Sequence, residues 1–479
     1  MIAPPIADTD PCARRPRRRA RAWLAAWSAA ALAIAAPAGV QAQRAAPVEE
    51  IGEAIRSNAK PRELRAFYAT RNFRPIWFRD GASGEEAQAL LRLIASARYD
   101  GLDPDDYKPR AILSALKRAG DEDADAEDVA KAELLLSRSF VALARDMRRP
   151  AEVNVVYPDA EMRPRVPTPR ELLEQAAAAP SPSAYLARVG WMNALYGRLR
   201  QAAIVQGGFD RDYADRDDFD HDGAEADPTA VRANLDRLRA FPADLGERFV
   251  LVDAAAARLW MYENGRVRGT MRVVVGKPSE PTPMMAALIR YASVNPYWNL
   301  PPDLVRLRVA PGAIEQGGRF LKAKRFEALS GWTEDARVVD PDTIDWRAVK
   351  DGRIDARVRQ LPGPNNAMGR IKFMFPNNRG IYLHDTPEKA LLREDDRLFS
   401  SGCVRVEDAP RLARWLFGKP VQITTGKPER RVDLPEPVPV YITYQTVAVD
   451  GDGIVYRPDV YGRDGLNRDE DGSPRYASR

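Results

Sequence analysis

The sequence predicts an α+β protein, with a mostly helical first half followed by a β-rich second half. Apolar residues recur at three- and four-residue spacing between about Val48 and Leu199, and they alternate in short runs after about Arg248. A Gly- and Asp-rich stretch with few core-forming residues separates the two patterns. At 479 residues, 45% apolar and 8% aromatic, the chain can bury more than one core, which excludes disorder as its main state.

Residues 1–42 read as a secretory signal peptide. The cluster Arg14, Arg15, Arg17, Arg18, Arg19 and Arg21 runs into an apolar stretch from Ala22 to Ala36, and Val40-Gln41-Ala42 fits a small-x-Ala cleavage pattern. The apolar stretch, roughly 15 residues, falls short of the roughly 20 that span a bilayer comfortably; left uncleaved, it would serve as an N-terminal anchor. The formal charge of +5 belongs to this leader. Its loss removes six Arg and two Asp, a net +4, and leaves about +1, so a nucleic-acid partner is not expected. Of the two cysteines, Cys12 lies in the leader. Cys403 is then a single thiol in an oxidising compartment, either an inert core residue or a group kept for reaction.

Residues 48–206 form the predicted helical domain, carried by Leu90-Leu91-Leu93-Ile94 and by Leu134-Leu135-Leu136, Phe140-Val141 and Leu143-Ala144. Breaks are expected at Asp103-Pro104, Lys108-Pro109, Pro164 to Pro169 and Ala179 to Pro182. Residues 207–230 are the acidic linker. A short helix over Val231 to Leu238 then leads into strands at Arg248 to Val252, Arg258 to Tyr262 and Thr270 to Val275, with a hairpin turn at Glu263-Asn264-Gly265. This β-rich domain spans 231–465, and 466–479 is a tail. Within it, about 300–360 interrupts the alternation with Pro301-Pro302, a helical stretch near Gly317 to Ala328 and polar irregular sequence. It is a candidate lid.

The chemistry concentrates in Gly380-Ile381-Tyr382-Leu383-His384-Asp385-Thr386-Pro387 and Ser400-Ser401-Gly402-Cys403-Val404-Arg405-Val406. These hold one of two histidines and the single cysteine outside the leader, nineteen residues apart. An imidazole beside a thiol can take its proton and hold an ion pair, which would lower the cysteine pKa well below its usual value near ~8.5. Gly402 would let backbone amides approach a developing oxyanion, with Tyr382 as a further donor on the same strand face as His384. Arg405 would share the face of Cys403 and bind a carboxylate. A cysteine beside a valine can equally be a small core hydrophobe, and a strand histidine a satisfied polar residue.

Together these two segments resemble the active-site signature of L,D-transpeptidases with a YkuD-type catalytic domain, in the large Gram-negative subgroup. The resemblance extends through Leu361-Pro362-Gly363-Pro364-Asn365-Asn366-Ala367-Met368-Gly369, Lys372 to Asn377 and Asn295 to Pro301. In the first half, Arg74-Pro75-Ile76-Trp77 and Gly101 to Tyr107 resemble the scaffold domain of that subgroup. The resemblance implies a β-sandwich-like catalytic domain with a capping insertion, a periplasmic location and no cofactor. It implies that His384 deprotonates Cys403, which attacks the L-centre of diaminopimelate at stem position three and expels D-alanine, and that carbapenems target the thiol. Peptidoglycan stem peptides would be donor and acceptor, with 3→3 links as the main product. A 1→3 link, L,D-carboxypeptidation or D-amino-acid exchange would use the same nucleophile, and a non-catalytic envelope scaffold with unidentified protein partners is the alternative outside enzymology. Tyr382, Ser401, Gly402 and Arg405 would position the donor and its intermediate. Smaller members carry His where Ser401 stands, and where large members place a peptidoglycan-binding module this chain has only residues 207–230.

No metal is expected. Asp218-Phe219-Asp220-His221-Asp222-Gly223 begins like a calcium loop, but Thr229 stands where the bidentate Glu belongs, so a solvated linker is the better reading. Papain-like enzymes place Cys before His, the reverse of the order here, and sortases place a Thr-rich strand before the nucleophile.

Overall fold

The computed structural model describes residues 47–79, 85–206, 228–333, 335–423, 426–451 and 453–465. The leader, the calcium-like loop, residues 207–227 of the linker and the tail from 466 onward lie outside them. No described helix is long and apolar enough to cross a membrane.

The first half is helical from Val48–Asn58 through Ala194–Gln206. Three of the expected breaks are helix starts: Pro109, Pro169 and Pro182 each occupy a first helical position, where a missing N–H costs nothing. Thr168 and Glu171 close a reciprocal capping box, Glu171 N–H donating to the Thr168 hydroxyl at 3.2 Å and Thr168 N–H to the Glu171 carboxylate at 2.8 Å. The central helix Ala126–Met147 buries Leu134, Leu136, Phe140 and Leu143. Its Glu133 carboxylate, fully buried, accepts from the Tyr68 hydroxyl at 2.6 Å and from the Ile76 and Trp77 amides at 2.7 and 3.0 Å. That explains the Arg74-Pro75-Ile76-Trp77 segment, whose backbone would otherwise be buried without partners.

The second half is built on one sheet. Its strands are β1 (Val155–Val156), lent by the helical half, then β2 (Arg248–Asp253), β3 (Arg258–Glu263), β4 (Arg266–Gly276) and β5 (Met284–Val294). β6 (Trp298–Asn299), β7 (Phe326–Leu329), β8 (Val338–Val339) and β9 (Arg357–Gln360) form a separate small sheet. The main sheet continues with β10 (Ile371–Met374), β11 (Leu383–His384), β12 (Leu398–Ser400), β13 (Val404–Val406) and β14 (Arg430–Thr443), and β15 (Val447–Asp450) with β16 (Gly453–Tyr456) forms a hairpin. The order β5-β10-β11-β13-β4-β3-β2-β14 returns to its start because β14 also pairs with β5. The sheet therefore closes on itself around one core, a sandwich-like shell without a long bare edge.

Alternation sets what each face does. Val250, Val252, Leu259 and Met261 point into the shell, while Phe249, Leu251 and Tyr262 join the helical core outside it. β2 is buried on both faces, whereas β3 and β4 keep partly exposed residues between buried ones. Helix Pro228–Arg239 takes in the last three linker residues and extends the predicted 231–238 helix at both ends. Its Arg237 reaches Tyr444 O at 2.9 Å and Asp464 at 2.7 Å, tying the helix to the end of the shell.

The predicted lid is a folded unit with its own core of Trp298, Leu304, Val305, Leu321, Trp346 and Val358. The helix expected over Gly317 to Ala328 ends at Ala323, and Phe326–Leu329 is strand β7, paired with β8 and β9. Buried Asn366 fastens both legs of this unit, its Nδ2 donating to Pro296, Gln360 and Leu361 carbonyls at 3.2, 3.2 and 3.0 Å. At Gly369, φ is +60° and a Cβ would sit 2.4 Å from the Asp385 carboxylate, so only glycine fits.

Candidate active site

Parallel pairing of β11 with β13 puts Leu383 opposite Val404 and His384 opposite Arg405. Leu383 and Val404 are fully buried in the shell core. The alternate side chains Tyr382, His384, Cys403 and Arg405 therefore share the other face, with Cys403 level with Tyr382 and diagonal to His384. Ring centroids of Tyr382 and His384 lie 5.7 Å apart.

Each of these side chains is held by its neighbours. Asn377 accepts from the Arg379 and Ile381 amides at 3.0 and 3.1 Å and donates to Phe375 and Ile381 carbonyls at 2.7 Å. This fixes the loop whose Gly380 carbonyl accepts the Cys403 thiol hydrogen at 3.4 Å. On the other side, the Ser400 hydroxyl donates to Cys403 O at 2.6 Å and accepts the Gly402 N–H at 3.2 Å, while Thr282 donates to Gly402 O at 2.9 Å. The Gly402 amide is thus turned to Ser400. Its contribution is conformational, since φ is +102° and a Cβ would press on Ile381 at 3.3 Å. The Ser401 hydroxyl lies beside Glu280 and, with Lys277, holds that carboxyl below the usual range.

His384 is buried, and its Nδ1 lies 2.6 Å from Asp385 O. A carbonyl only accepts, so Nδ1 carries the proton and Nε2 keeps a lone pair. Burial, then the Arg405 charge, pushes the imidazole pKa down to about 3. Register explains the cations: Lys372 on β10 pairs with His384 from one side and Arg405 on β13 from the other. Burial likewise pushes the Cys403 thiol up to about 11, opposed by hydrogen bonding to Tyr382 and by the charges of Arg405 and Lys372. Both shifts favour a neutral thiol and a neutral imidazole on this face. Desolvation thus works against the ion pair expected from the sequence, since burial disfavours both charged forms. Tyr382 stays protonated, its pKa raised by burial and by Cys403, and remains a donor.

Arg405 is ion-paired with the exposed Glu388. Lys372, absent from the predicted site, is buried, bridges Glu429 at 3.2 Å and Tyr297 O at 3.3 Å, and sits 5.7 Å from the Tyr382 ring centroid. Glu429 also accepts from Tyr297 N at 2.6 Å, so one carboxylate couples the site lysine to the leg of the lid. Tyr382 packs against the lid core. The sequence signal for Lys372 is a lone lysine inside the apolar strand Ile371-Lys372-Phe373-Met374. Among the described residues no cluster of His, Cys, Asp or Glu could hold a metal ion.

Residues 62–202 match a scaffold-domain family, and residues 247–430 match the YkuD family, described as an L,D-transpeptidase catalytic domain. A protein of Haemophilus influenzae provisionally named an L,D-transpeptidase is 27% identical over 411 residues, which is 84% of this chain and 78% of that one. Among solved structures, an L,D-transpeptidase from Mycobacterium smegmatis is similar at 13% identity and a TM-score of 0.21 over 41% of this chain and 58% of its own. A mutant L,D-transpeptidase of Enterococcus faecium is similar at 13% identity and a TM-score of 0.19 over 41% of this chain and 50% of its own. The chain spans between half and three-fifths of the length of these two.

Proposed function

We propose that this chain, which belongs to the L,D-transpeptidases and carries a scaffold domain ahead of its YkuD catalytic domain, cross-links peptidoglycan stem peptides in the periplasm through a Cys403 thioester. The observation that carries the reading is the shared strand face of Tyr382, His384 and Cys403, with the His384 tautomer fixed by Asp385 O. The leader-like first 42 residues support export.

In this mechanism His384 Nε2 takes the Cys403 proton as the sulfur attacks the carbonyl of the L-centre of diaminopimelate at stem position three. The Tyr382 hydroxyl donates toward the developing charge. The imidazolium returns its proton to the leaving amine, D-alanine departs, and a thioester remains. An acceptor amine then yields a proton to His384 and attacks the thioester, forming the new amide and restoring the thiol. A diaminopimelate side-chain amine gives a 3→3 link. Burial that disfavours both charged forms supports thiolate formation in step with attack rather than beforehand, and the cations Lys372 and Arg405 oppose early protonation of His384. A carbapenem would acylate the same sulfur.

Trapping tests this route. Wild-type protein mixed with a tetrapeptide-stem muropeptide should gain the mass of the donor minus D-alanine on the Cys403 peptide, and hydroxylamine should remove it. A donor adduct on any other residue contradicts the thioester.

A further inference from the structure

A second polar cavity, of about 600 Å³, lies between the helical half and the outer face of β2 and β3, and shares no residue with the site around Cys403. Its volume falls within the range of small-molecule sites. Four arginines line it, Arg198, Arg258, Arg397 and Arg457, against two aspartates, Asp253 and Asp450, with the half-buried Trp260 forming part of the wall.

The charges there are not balanced internally. Asp253 is consumed by the Gln445 and Ala255 amides at 2.9 and 3.0 Å and by Arg457 at 3.4 Å. Among the described residues Arg258 has only the Thr270 hydroxyl, at 3.2 Å. Among the described residues Arg397 reaches only carbonyls, those of Glu394 and Asp395 at 2.8 and 3.0 Å and of Ala256 and Ala257 at 3.3 and 3.4 Å. Among the described residues neither arginine forms a salt bridge. Two buried atoms of the lining also lack any partner: Arg397 Nε, a donor, and Gln445 Oε1, an acceptor on a side chain only 5% exposed. Buried polar atoms are ordinarily satisfied, so orphans of both kinds beside unpaired guanidinium groups indicate groups built for something from outside. Burial and the neighbouring Arg258 and Arg272 charges lower the Arg397 pKa, as expected where positive potential accumulates.

We infer that this cavity binds an oxyanion, a carboxylate or phosphate, on a ligand that also offers a hydroxyl or amide proton to Gln445. The arginines take the oxyanion, Gln445 Oε1 takes the proton donor, and Trp260 supplies an apolar ring face for the body of the ligand.

Calorimetric titration of the full chain tests this, using N-acetylmuramic acid, N-acetylglucosamine and inorganic phosphate as probes. The Cys403→Ala protein is used, so that the outcome is independent of the transpeptidase reading; binding here and thioester formation there can fail separately. Saturable binding of N-acetylmuramic acid, with N-acetylglucosamine at least ten-fold weaker, supports a carboxylated sugar as the source. Phosphate binding as tightly as the acid sugar supports the same site with a phosphate source. In either case Arg258→Gln should weaken binding at least ten-fold. Arg198→Ala, at an exposed position, should weaken it as well if Arg258→Gln does not fold. Failure of both anions to bind at millimolar concentration, or binding that neither substitution weakens, overturns the inference.

Discussion

The neutral resting pair makes a quantitative prediction about thiol reactivity. Only thiolate reacts with iodoacetamide, so the rate follows the ionised fraction. With the Cys403 pKa pushed up to about 11, that fraction is about 10⁻⁴ at pH 7 and about 10⁻² at pH 9, and alkylation should climb about 100-fold across this interval without levelling. A thiol at the ordinary value near ~8.5 would rise only about 25-fold and bend over, and a preformed ion pair titrating near ~4 would not change at all. Tyr382→Phe sharpens the test, because it deletes a hydrogen bond that favours the thiolate, worth roughly 1.5–3 kcal/mol when the acceptor is charged. Its alkylation rate at any fixed pH in this range should fall by about 10- to 100-fold. Stopped-time alkylation followed by intact-protein mass spectrometry between pH 6 and 10 reads both effects. A rate that is flat between pH 6 and 9 in the wild type would refute the reasoning from desolvation.

Three further outcomes follow from the same geometry. Lys372→Met removes one of the two cations flanking His384, so the imidazole and the thiol both become easier to protonate; the acid limb of kcat/KM should move to higher pH and turnover should fall roughly ten-fold, and an unmoved limb contradicts the charge-row account. Trp346→Ala empties the centre of the lid and breaks the indole bond to Pro341 O at 2.8 Å, at a cost of about 3–5 kcal/mol. Hydrogen exchange should then rise within 300–360 and KM should rise more than kcat falls, whereas equal loss of protection in β2 and β3 would show that the lid is not a separate cooperative unit. Gly402→Ala forces a side chain into φ +102° and against Ile381, costing about 1–3 kcal/mol; turnover should drop at least ten-fold by displacing Cys403 while the secondary-structure signal is unchanged, and near-normal turnover contradicts the assigned role of that turn.

Much of this architecture is legible in the residues, because period-two and period-3.6 patterns come from burial. β2, β3 and β4 were readable since each presents one face to the shell and another to the helices or solvent. The lid was legible as an interruption but not as a fold: β6 and β8 have two residues each and β7 four, too short for alternation to register, and the Phe326–Leu329 strand follows a helix with only two residues between. In the site, His384 and Cys403 stood out through rarity and spacing and Tyr382 through alternation with His384, and strand pairing explains why they share a face. Lys372 and Glu429 did not, since their relation to His384 depends on which strands neighbour β11 and how β14 begins. Nor could spacing give the sign of the pKa shifts. A His and a Cys nineteen residues apart look alike whether the site is wet or dry, and burial pushes the pair toward its neutral form.

The most direct test of the central claim is to incubate wild-type protein and its Cys403→Ala variant with purified tetrapeptide-stem muropeptides and identify the products by mass spectrometry. Cross-linked dimers formed with loss of D-alanine, by the wild type alone and with fragments locating a 3→3 link, are the predicted result. Dimers formed equally by Cys403→Ala, or no change in the muropeptides with either protein, would contradict it.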